Sequence, residues 1–106
     1  MITMTTTVAL MNPRFVRFDR FHTKNPHIYE RLREMSLALL AKGYKHWGMR
    51  NLWEKLRYDL AVETEGASDF RLNDHFPPFY ARLLMQQCPE LQGFFETRGT
   101  ANLSAL

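Results

Sequence analysis

The stretch NPHIYERLREMSLALLAKGYKHWGMRNLWEKLRYDL, residues 25–60, reads as two amphipathic helices joined by a short link. Asn25 can cap free backbone donors, and Pro26 suits a first helical position, where its missing N–H leaves nothing unpaired. Ile28, Leu32, Met35 and Leu39 then recur at helical spacings and form one apolar stripe, with Arg31, Arg33 and Glu34 largely off it. Gly43 stands where helices commonly end on a left-handed residue. From about Gly48 to Leu60 the pattern repeats through Met49, Leu52, Trp53, Leu56 and Leu60, and Arg50, Asn51, Glu54, Lys55 and Arg57 occupy the other face. The link from Gly43 to Gly48 is short enough to make the two helices packed neighbours.

Downstream, Ala61 to Leu72 changes character and reads as a short β-hairpin or an ordered loop, two brief extended runs around Gly66. A third helix is expected from near Asn73-Asp74 to Cys88, with Pro77-Pro78 in its first turn and Pro89 ending it. Phe76, Phe79, Tyr80, Leu83 and Leu84 give it the strongest helical period in the chain. A final turn, Glu90 to Phe95, can lay Leu91, Phe94 and Phe95 back on the core. Upstream, Phe15, Phe18 and Phe21 alternate with Arg14, Arg17 and Arg20. One helical turn or a bent extended arm fits this segment equally, and either way its aromatics must dock on a core.

These expectations amount to one domain over residues 13–98, with a disordered extension over residues 1–12 and a flexible tail over residues 99–106. Met11 is an alternative start. The fold class is mainly α: three helices and a small hairpin, the string of a winged-helix or helix-turn-helix domain. Any small helical bundle with one insertion produces the same string.

The 106 residues are 45% hydrophobic and 24% charged, enough to bury a core without staples. No membrane span or secretion signal is legible, so a cytoplasmic, host-cell location is expected. The single cysteine, Cys88, sits on an apolar stripe and reads as a buried small hydrophobe.

Charge is divided unevenly along the chain. Residues 1–58 hold eleven Lys and Arg against four Asp and Glu, whereas residues 59–106 hold three against seven, giving halves of +7 and −4. Arg14, Arg17, Arg20, Lys24, Arg31, Arg33, Lys42, Lys45, Arg50, Lys55 and Arg57 make up the basic half, with Tyr44, His46 and Trp47 interleaved. Such a set suits a phosphate backbone, although long basic side chains also simply solvate helix faces. The third helix offers only Asn73, His75, Arg82, Gln86 and Gln87 alongside Asp74, a thin complement for reading a major groove.

Catalytic chemistry finds little purchase. His22, His27, His46 and His75 are scattered, and none pairs with a second His at metal-binding spacing. No phosphate-binding glycine loop or nucleophile elbow is present, so no catalytic residue, cofactor or metal is expected and the protein reads as a non-enzyme.

The runs Phe18-Asp19-Arg20-Phe21-His22-Thr23-Lys24-Asn25-Pro26-His27-Ile28-Tyr29 and Gly48-Met49-Arg50-Asn51-Leu52-Trp53-Glu54-Lys55-Leu56-Arg57, together with Tyr80-Ala81-Arg82 and Pro89-Glu90-Leu91-Gln92-Gly93-Phe94-Phe95, resemble a family of small proteins of tailed phages and prophages. The resemblance covers roughly residues 15–98 and implies a phage or prophage origin, with no particular activity. The polar residues matching its pattern are His22, Asn25, Glu54, Arg57, Asn73, Tyr80 and Arg82; as structural residues, Asn25 would be a cap, Glu54 and Arg57 an ion pair, and Tyr80 a buried ring with a wet hydroxyl.

Two functional readings follow. In the first, a winged-helix-like module binds double-stranded DNA through its basic half. In the second, a non-catalytic phage-encoded inhibitor binds a host protein, such as a defence-system component. The candidate nucleic-acid or partner-binding residues for both are Arg31, Arg33, Lys45, Arg50, Lys55, Arg57 and Arg82.

Overall fold

The structure, a computed structural model, describes residues 12–63 and 72–97 of the chain. Four α-helices and one 3-10 turn occupy them: α1 Pro13–Lys24, α2 Pro26–Ala41, α3 Met49–Glu63, α4 Pro77–Gln87 and the turn Pro89–Leu91.

The segment open between a turn and an arm is a helix of 12 residues, α1. Asn12, grouped with the N-terminal extension in the sequence reading, is its cap: Oδ1 accepts from the N–H of Arg14 at 3.0 Å and of Phe15 at 3.4 Å. Pro13 fills the first helical position, and Phe15 and Phe18 are buried. Met1 to Met11 and residues 98–106 lie outside the described residues, and with them the expected extension and tail.

Asn25 does not cap α2 with its side chain. Its Nδ2 instead donates to the Phe21 carbonyl at 3.0 Å, closing the C-terminus of α1. The two helices abut at this residue, so the orphan carbonyls of one compete with the orphan donors of the next, and the carbonyls win. At its far end α2 stops as expected: Gly43 has φ +103°, its N–H reaches the Leu40 carbonyl at 3.0 Å, and the Tyr44 N–H reaches Leu39 at 3.2 Å. This doubly bonded left-handed cap turns the chain toward α3.

The β-hairpin and the winged-helix form are not what the described residues build. Ala61 to Glu63, read as the first extended run, prolong α3, and no strand occurs among the described residues; residues 64–71 lie outside them. The last turn of α3 is held helical from across the bundle, where both Arg31 guanidinium nitrogens donate to Glu63 at 3.1 and 2.9 Å. Asn73 to Phe76, assigned to the third helix from sequence, form a turn ahead of α4 in which Asn73 Oδ1 accepts from the His75 N–H at 2.8 Å.

The expected apolar stripes meet in one core. Ile28 and Leu32 of α2, Met49, Leu52, Trp53 and Leu56 of α3, and Phe79, Tyr80, Leu83 and Leu84 of α4 are buried, as are Phe76, Cys88, Leu91, Phe94 and Phe95. Phe18 is the aromatic hub. Its ring lies 5.0 Å from Phe79, 4.8 Å from Tyr80, 5.9 Å from Phe76 and 5.7 Å from His22. The helix α4 is embedded in this core, with Pro77, Phe79, Tyr80, Ala81, Leu83 and Leu84 all buried. Too little of it faces outward to enter a DNA major groove as a recognition helix does.

Candidate functional site

The seven basic residues singled out from sequence fall into three groups. Arg31, Lys55 and Arg57 are neutralised: Arg31 is paired with Glu63 at 2.9 Å and Asp59 at 3.9 Å, Lys55 with Asp59 at 2.9 Å, and Arg57 with Glu54 at 2.6 Å and also with Asp74. Arg57 further donates to the Leu72 carbonyl at 2.9 Å, which ties α3 to the chain leading into α4. Hydrogen bonds from the guanidinium groups hold the Glu63 and Asp74 carboxyls below their ordinary pKa and raise Arg31 and Arg57. These clusters project little net positive field.

Arg33 on α2 and Lys45 in the link are exposed. Arg50 and Arg82 are brought together. They border one groove of about 690 Å³ formed where the starts of α1, α3 and α4 converge, with Arg14, His75 and Asn12 on its wall and Glu96 and Thr97 of the C-terminal segment closing it. Helix N-termini carry partial positive charge, so three of them reinforce the field of the guanidinium groups.

A second face extends the same charge. Arg14, Arg17, Arg20 and Lys24 are exposed on α1, the last three on the side away from buried Phe15 and Phe18. They form no ion pair among the described residues. From Arg14 to Lys24 the row covers about 15 Å of helix. The charge map contained these four residues but they were not chosen as site residues. The missing signal was the helix itself: once residues 13–24 are helical, the arginines interleaved with phenylalanines become one solvent-facing row.

A smaller groove adjoins the first, sharing Gly48 and Glu96 and lined also by His46, Trp47 and Gly93. The link is anchored there by the Trp47 N–H on the Phe94 carbonyl at 3.1 Å and by His46 Nδ1, 3.2 Å from the Gly93 carbonyl. Tyr44 packs edge-on against Trp47 with ring centroids 5.1 Å apart.

Among the described residues no group of three His, Cys, Asp or Glu side chains could hold a metal ion, and no helix is long and apolar enough to cross a membrane. Cys88 is buried, with its Sγ 3.9 Å from the Tyr29 hydroxyl. The arrangement is therefore one of cations and aromatic edges around an open groove, suited to binding anionic ligands. Comparison with family models, curated proteins and solved structures finds no match to this chain.

Proposed function

We propose that the protein is a phage or prophage accessory protein that binds nucleic acid through the phosphate backbone rather than by reading bases with α4. The observation that carries this reading is the continuity of exposed charge from the α1 row, Arg17, Arg20 and Lys24, through Arg14 into the groove that Arg50 borders. Cations spaced along a helix can each meet a phosphate, and every contact releases condensed counterions, so affinity falls steeply with salt. The phage origin rests on the sequence resemblance.

The test is fluorescence anisotropy of a labelled oligonucleotide titrated with protein at ~50 mM salt and above, where backbone contacts pass from strong to screened. Replacing Arg17, Arg20 and Lys24 by Gln should weaken binding at least tenfold and flatten the salt dependence by about the number of contacts removed. Lys55→Gln, a cation already occupied by Asp59, should change little. No binding by the unmodified protein at low salt overturns the proposal. The inhibitor reading then leads, favoured by Tyr58 and Val62, four residues apart on α3 and 68% and 66% exposed.

A further inference from the structure

We infer that the two adjoining grooves form one path for a single strand of nucleic acid, with phosphates on Arg14 and Arg50 and a base stacked on Trp47, whose ring Tyr44 supports edge-on. This rests on the nucleic-acid reading above and sharpens it from nucleic acid in general to an unpaired strand. In a duplex the base faces are covered by their neighbours, so only an unpaired strand can use an aromatic side chain as a stacking surface.

Trp47 is half-buried and lines the smaller groove, and Tyr44, 49% exposed, stands edge-on to its ring. The floor beside Trp47 carries no side chain at Gly48 or Gly93, and a Cβ at Gly93 would meet nothing within 4 Å, which leaves open space for a flat ring. The volume of about 570 Å³ beside Trp47 admits a base with its sugar. Gly48 and Glu96 border both grooves, so a strand can pass from the cations to the aromatics without crossing the bundle. Glu96 is the one acidic side chain on this path among the described residues, and it opposes the positive field there.

The chain has two tryptophans, and Trp53 is fully buried, so a ligand-induced change in emission reports on Trp47. Titrating the unmodified protein with short oligo(dT), oligo(dC) and oligo(U), and with a duplex of the same length, should quench emission with the single strands only. DNA and RNA strands are separated by the comparison of oligo(dT) with oligo(U). Tyr44→Ala, at an exposed link position, and Trp47→Ala should each weaken single-strand binding, the latter about tenfold, while duplex anisotropy is unchanged. The inference is overturned if anisotropy shows binding while emission stays constant, or if the duplex binds as tightly as the strand; either leaves backbone binding standing. Absence of binding by both strands and duplex overturns this inference and the proposed function together.

Discussion

Tyr80 shows how a buried polar atom separates packing from hydrogen bonding. Its side chain is fully buried between Phe18 and Trp53, and its hydroxyl finds no hydrogen-bond partner among the described residues, where the sequence reading expected a wet hydroxyl. Burial alone pushes its pKa up. An unsatisfied buried hydroxyl costs about 1–3 kcal/mol, so Tyr80→Phe, which keeps the ring, should raise Tm by a few degrees. A fall in Tm would mean that the hydroxyl is bonded. His22 stacks on Phe18 with its Nδ1 also buried and without a hydrogen-bond partner among the described residues. Desolvation lowers its pKa from 6.5, against the smaller opposing pull of Asp19. A lowered folded pKa means that the unfolded chain takes the proton first as pH falls. The contribution of His22 is therefore complete above about pH 6.5 and is lost as pH drops through the lowered folded value. Thermal melts between about pH 8 and pH 5 should show this decline, and His22→Phe should flatten part of it. An unchanged slope in the variant would assign the decline to other groups.

The ends of the helices were legible because they depend on neighbouring residues. Gly43 was read as a left-handed stop and has φ +103°. An added Cβ meets nothing there, so the penalty of Gly43→Ala is conformational, about 1–2 kcal/mol, and should appear as a lower denaturant midpoint. Gly48→Ala, at a glycine without positive φ, should cost less than Gly43→Ala. If the two variants melt alike, the cap of α2 contributes nothing to folding. Where expectation and structure part, two local claims compete for the same atoms. Asn25 has the composition of an N-cap, yet α1 ends directly before it and takes its side chain. Ala61 to Glu63 have the composition of an extended run, yet Arg31 reaches Glu63 across 32 positions of chain and holds that turn on α3.

The balance of +3 for the chain conceals a surface on which cations differ greatly in availability. Arg31, Lys55 and Arg57 are occupied by carboxylates, and exposed charge gathers on α1 and around Arg14 and Arg50. Glu96 opposes that field from the groove wall. Glu96→Gln should therefore strengthen oligonucleotide binding severalfold at low salt and lose this advantage as salt rises, measured by anisotropy; weaker binding would show that its carboxylate contacts the ligand. Helical periodicity, the left-handed stop at Gly43, the burial of Cys88 and the separation of the chain into a basic and an acidic half were legible in the order of residues. Each depends on spacing or composition over a few turns. Which arginines are taken up by carboxylates and which border the groove was not. Arg57 meets Asp74 across 17 positions, and Arg14, Arg50 and Arg82 converge from three helices. Charge pairing and groove formation follow distance in space, and only the packing of the helices around Phe18 sets those distances.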